Sequence, residues 1–179
     1  MNPLTELRCS CGQVHLDVAG TPIITAECCC TSCRTAGARM QALAGAPQVL
    51  TTYGATPFVL YRKDRIRKVE GAPLLKEFRL TPEAKTRRVV ASCCTTPVFF
   101  EVSGGHWLSL YACLWPEGTR TPLELRTCVA DLPAGTTVPD DVPNAKRQNA
   151  TFILKLLGAW IAMGLSAPKI TYVNGALDV

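Results

Sequence analysis

Eight of the ten cysteines in this chain fall in three short clusters: Cys9-Ser10-Cys11-Gly12, Glu27-Cys28-Cys29-Cys30-Thr31-Ser32-Cys33-Arg34, and Ala91-Ser92-Cys93-Cys94-Thr95-Thr96-Pro97. The rest of the sequence reads as scaffolding that brings them together. The middle cluster superposes a Cys-x-Cys on a Cys-x-x-Cys. In an extended segment side chains alternate faces, so Cys28 and Cys30 project to one side and Cys29 to the other. The two-residue step through Thr31 and Ser32 suits a tight turn that returns Cys33 to the same point. Three soft sulphurs suit zinc, at metal–sulphur distances of ~2.3 Å. A structural zinc requires a fourth protein ligand, whereas a catalytic zinc keeps that position open.

The compartment decides between metal and disulfides. At 179 residues the chain is long enough to bury a core without cross-links. Residues 1–10 contain no apolar run of signal-peptide length, which points to a reducing, cytoplasmic setting where thiols bind metal. The net charge of +5 is modest and its basic residues are dispersed, so nucleic acid is not called for. With 47% hydrophobic and 18% charged residues, disorder is disfavoured. No internal repeat or low-complexity block occurs.

Period-two alternation and β-branched runs predict strands over 13–18, 23–28, 48–53, 58–61, 66–70, 76–80, 87–91, 98–102, 107–113 and 123–129. Each cysteine cluster adjoins a strand end. Residues 34–46, rich in Ala and Gly, read as a loop with at most one helical turn. The Arg62-Lys63-Asp64-Arg65 stretch reads as a hairpin tip, either a solvated turn or a holder of substrate carboxylates. His15 falls on a polar strand face and His106 in a loop after Gly104-Gly105. Cys113 and Cys128 stand alone in apolar strands and read as small core hydrophobes.

Three prolines and two adjacent Asp mark 130–144 as extended linker. A helix is expected over 151–167, with Thr151 as N-cap and Pro168 as stop. Lys155 is its only charge. At 1.5 Å per residue it reaches roughly 25 Å, short of the ~30 Å hydrocarbon layer, so a membrane span is not expected. An interfacial helix would carry a strongly charged face. Burial against protein is the better reading, in a homodimer contact through Phe152, Leu156, Trp160 and Met163. The expected organisation is a zinc-binding β domain over 1–130, a linker over 131–150, and a helix with its tail over 151–179.

Over roughly residues 8–115 these clusters resemble the glutathione-dependent formaldehyde-activating enzyme family, whose domain also occurs in centromere protein V. Cys9-Ser10-Cys11-Gly12 matches the family's first motif, Cys28 to Arg34 its second, and Gly37 also fits. The resemblance implies a mainly β, zinc-held shell of short antiparallel sheets of the β-tent type. It implies a structural zinc at Cys9, Cys11 and Cys94, and a catalytic zinc at Cys28, Cys30 and Cys33 that accepts the thiol substrate. The third motif departs from the pattern: Ala91 stands where its first cysteine would be and Thr95 where its glycine would be. Cys93 is then the local candidate for the fourth ligand. Because Cys93 and Cys94 are adjacent, using both demands a bend, which Thr95-Thr96-Pro97 can help impose.

The function so implied is a carbon–sulphur lyase acting on a glutathione adduct of formaldehyde or another small aldehyde, with two Zn2+ per chain. The alternative is a non-catalytic, zinc-stabilised binding module. A third reading is a redox switch, since Cys28, Cys29 and Cys30 are contiguous. No acid or base residue is identifiable, so metal chemistry alone carries the reaction.

Overall fold

Alternating apolar residues build two sheets that share one core. The computed structural model describes residues 4–177. The smaller sheet has three strands in the order β1 (Leu4–Arg8), β2 (His15–Ala19) and β5 (Ile66–Glu70), all antiparallel. The larger contains β3 (Ile24–Cys28), β4 (Thr56–Arg62), β6 (Leu75–Phe78), β7 (Thr86–Ala91), β8 (Thr96–Val102), β9 (Trp107–Tyr111) and β10 (Leu125–Thr127). Its order is β10-β3-β4-β9-β8-β7-β6, antiparallel except for the parallel pair β10–β3. Leu7, Leu16 and Val18 of the small sheet pack on Val59, Phe99, Leu108 and Leu110 of the large one. The opposite face of the large sheet, with Ile24, Phe58, Leu60 and Tyr111, packs on the helices α1 (Thr31–Gln41) and α2 (Ala150–Ile161). The protein is therefore mainly β, with a C-terminal helix. β1 was not expected from the sequence.

α1 corrects the expected loop over 34–46. Cys33, Ala36, Gly37 and Met40 recur at helical spacing and are all buried. Small side chains make that stripe faint in a sequence, yet they let the helix approach closely: a Cβ on Gly37 would meet Leu50 Cδ2 at 2.5 Å. No strand forms over 48–53, because side chains take its backbone bonds. Gln41 Oε1 accepts from the amides of Val49 and Leu50 at 2.8 and 3.0 Å.

Residues 63–65 are not a hairpin tip but a short 3-10 turn carrying the chain from β4 to β5 in the other sheet. Lys63 is buried there and pairs with Glu101 at 2.5 Å. Cys113 and Cys128 both lie outside strand interiors, in or beside short 3-10 turns, and are half-buried. His106 is buried, its Nε2 2.9 Å from the Leu156 carbonyl.

The stretch before α2 is extended but pinned. The Arg126 amide donates to the Pro143 carbonyl, and its guanidinium bridges Glu27 and Asp141 at 2.7 Å each. α2 is shorter than expected. Its N-cap is Asn149, whose side chain accepts from the Phe152 amide, and it ends before Gly164, which has positive φ. Among the described residues no helix is long and apolar enough to cross a membrane. The expected contact face also changes: Leu156 is buried on the domain, Phe152 and Met163 are half-buried, and Trp160 stacks on His106. Ile153, Leu154, Leu157 and Ile161 form the exposed stripe instead. After α2 the tail returns to β6, where the Asn174 amide donates to Leu75 and the Leu177 amide to Glu77.

Candidate metal centres

The first and third cysteine clusters meet. Cys9 and Cys11 sit in the β1–β2 connection, which closes through the Cys9 amide to the Val14 carbonyl and the Gly12 amide to the Cys9 carbonyl. Gly12 has φ 74, a left-handed value suited to glycine. Cys93 and Cys94 sit between β7 and β8, and the bend that adjacent ligands require is present. The Cys94 amide turns back to the Ala91 carbonyl, and Thr95 adopts φ 55. The four sulphurs all lie within 4.8 Å of one another. Cys9–Cys11 is 3.6 Å, Cys9–Cys93 3.9 Å, Cys11–Cys93 3.3 Å and Cys93–Cys94 3.8 Å. A tetrahedron of thiolates around zinc at ~2.3 Å has edges of about 3.8 Å. Four sulphurs at that separation fit a closed site.

Hydrogen bonding favours ionisation at one of these sulphurs. Burial opposes it at Cys94, but the Thr96 hydroxyl and the amides of Cys11 and Thr96 outweigh burial and bring its pKa down to about 6. Burial and the neighbouring Cys11 sulphur push Cys93 up. Thr96 is itself fixed, 2.8 Å from the Ser10 hydroxyl, so one residue braces both halves of the cluster.

The central cluster forms at the junction of β3 and α1. Cys28 ends β3, and Cys30 is the N-cap of α1, its sulphur accepting from the Cys33 amide at 3.4 Å. Cys33 lies in the first turn of the helix. The Cys28, Cys30 and Cys33 sulphurs lie within 4.8 Å of one another, while Cys29 points away and is fully buried. The alternation read from the sequence thus holds. Hydrogen bonds from Cys28 and Cys33, then the amides of Cys33 and Ser32, hold the Cys30 thiol far below its ordinary range. Cys28 is raised by its bond to Cys30, and Cys33 by its bonds to Cys28 and Cys30. The Cys30 sulphur thus sits at a helix N-terminus, a position that favours a thiolate.

Two features of this site were missed in the sequence. The first is Arg88, which is 1% exposed and donates to the Ser32 hydroxyl at 2.8 Å and the Ser32 carbonyl at 3.4 Å. Its guanidinium lies 5.0 Å from the Phe100 ring centroid, and among the described residues no carboxylate pairs with it. A buried cation without an acid requires negative charge nearby, and the three cysteines beside Ser32 supply it when ionised. Arg87-Arg88 reads as a basic surface pair, but strand alternation turns the two to opposite faces.

The second is a cavity of about 310 Å³ lined by Cys28, Cys30 and Cys33 together with Phe58, Phe100, Trp107 and Phe152. Those rings come from β4, β8, β9 and α2; the first three were read only as strand apolars, and Phe152 as part of a homodimer contact.

Fold and site together define a mainly β protein with two cysteine clusters that could each hold a metal ion. No family profile matches the chain. No curated protein matches it. Among solved structures it is similar to the crystal structure of a Rhodobacter sphaeroides protein determined as a structural-genomics target. That similarity has a TM-score of 0.45 at 16% identity, over 65% of this chain and 91% of that chain.

Proposed function

We propose that this is a zinc protein whose Cys28, Cys30 and Cys33 site acts as a carbon–sulphur lyase on a thiol adduct of formaldehyde or another small aldehyde. One observation carries the reading: the three clustered sulphurs line a substrate-sized cavity, so an ion held by them would have room for a further ligand. Three thiolates without a fourth protein ligand are the donor set of an open zinc site. The separate set Cys9, Cys11, Cys93 and Cys94 offers four and suits a structural ion.

When bound, zinc would supply a Lewis acid that favours the thiolate form of a sulphur substrate. The reaction is balanced without oxidant or reductant. The carbon–sulphur bond breaks with its electron pair going to sulphur. The carbinol O–H loses its proton as the carbonyl forms, and a proton ends on the released thiol. No titratable side chain besides the cysteines lines the cavity, which leaves proton transfer to water and to the hydroxyls of Ser32, Thr86, Ser109 and Thr127. The aromatic walls offer an apolar face against which the adduct would pack.

The test is NMR exchange spectroscopy of formaldehyde with a small thiol. Zinc-replete protein should accelerate adduct exchange, and Cys33→Ser should remain folded and lose the acceleration. No acceleration with any small thiol would favour the binding-module reading. That alternative has one observation of its own: Cys128 lies near enough to Cys28 and Cys30 to interact with both. Its sulphur is outside the 4.8 Å group, however. Cys128→Ser should accordingly leave metal content unchanged, and loss of one ion would mark a closed, structural site.

A further inference from the structure

We infer that the thiol partner of the three-cysteine site is uncharged and apolar, of about phenyl size, rather than glutathione. This rests on the lyase reading above and narrows its substrate. None of the residues lining the cavity is Lys, Arg, His, Asp or Glu. Its walls are the four rings of Phe58, Phe100, Trp107 and Phe152 with Ala26, Leu60 and Val102, and its polar groups other than the three cysteines are neutral. At about 310 Å³ the cavity lies near the lower end of small-molecule sites.

A glutathione adduct would bring two carboxylates and an ammonium into that space. Buried charges demand paired partners, and the lining has none to give. Arg88 is buried over the Phe100 ring, outside the lining, and already bonded to Ser32. Lys63, Arg79, Lys85, Arg87 and Lys169 line a separate cavity of about 400 Å³ that shares no residue with the cysteine pocket, and β7 sends Arg87 there while Arg88 turns inward. An apolar ring, in contrast, loses only water on entering among four aromatic rings.

The experiment is titration of cobalt-substituted, full-length protein with benzyl mercaptan and with glutathione, following the visible ligand-field spectrum of the ion. Benzyl mercaptan should perturb the spectrum and bind about 10- to 100-fold more tightly, the range expected for burying one phenyl-sized group. Equal or tighter binding of glutathione would overturn this inference while leaving the lyase reading standing. No spectral change with either thiol would mean no open position at the ion and would overturn both. Val102→Lys, which sets a cation in the lining, should shift the ratio of the two dissociation constants severalfold toward glutathione. An unchanged ratio would show that the lining does not set the preference, and the inference would fall.

Discussion

The guanidinium of Arg88 donates to the hydroxyl of Ser32 at 2.8 Å, tying a buried cation on β7 to the turn between Cys30 and Cys33. Were a divalent ion held by three thiolates there, +2, −3 and the +1 of Arg88 would sum to zero. Arg88→Met should therefore weaken metal binding at the central site by at least about tenfold, since hydrogen bonds involving a charged group contribute roughly 1.5–3 kcal/mol. Competition against a chromophoric chelator measures this, and unchanged affinity would show that Arg88 is only packing on Phe100.

The two clusters should respond differently to loss of a ligand. Cys11→Ser breaks a set that joins β1 to β8 through the turn after β7, and structural zinc contributes folding free energy on the order of 10 kcal/mol in small zinc peptides. A large fall in thermal stability is expected, matched by chelator treatment of the unaltered protein. Cys33→Ser should cost far less stability, because α1 retains its packing through Ala36 and Met40. Equal losses in calorimetry would contradict the division of roles.

His106 should make the seat of α2 sensitive to acid. Its Nε2 lies 2.9 Å from the Leu156 carbonyl, its ring stacks on Trp160, and burial holds its pKa below the ordinary 6.5. The fold thus favours the neutral ring, whose Nε2–H donates to that carbonyl. The stability it contributes is complete above the unfolded value of about 6.5 and is lost as pH falls from there through the lower folded value. Tryptophan fluorescence followed from about pH 8 to pH 5 should report α2 loosening, and His106→Gln should flatten that dependence. The same profile in the variant would assign the change to another group.

Removing the tail should damage the core. Ile170, Tyr172 and Val173 pack against the cluster shared by the two sheets, and the tail bonds to β6 at Leu75 and Glu77. A chain ending at Ala167, which keeps α2, should lose at least about 5 °C in melting temperature, as deletion of several buried apolar side chains predicts. An unchanged melting temperature would mean that the tail docks without stabilising.

Much of the fold was legible because alternation survives in single strands: β5 and the turns flanking the clusters follow directly from apolar spacing and Gly or Pro. The Cys28–Cys30–Cys33 geometry was legible for the same reason, period two followed by one tight turn. α1 was not, because a buried stripe of Cys, Ala and Gly carries little hydrophobic contrast. Nor was the pocket, since Phe58, Phe100, Trp107 and Phe152 lie on four elements that only the sheet order brings together. Arg88 was hidden by its neighbour, as adjacent arginines look like surface until the pleat separates them. The face of α2 depended on which side met His106, which no local pattern shows.

The most direct test of the account is elemental analysis of protein purified without added zinc, combined with the same measurement on Cys28→Ser/Cys33→Ser and on Cys9→Ser/Cys11→Ser. The account predicts close to two zinc ions in the unaltered chain, with the first double variant falling to one and losing the ion beside the aromatic cavity. Unaltered protein that carries no zinc, and takes up none when it is offered, would contradict it.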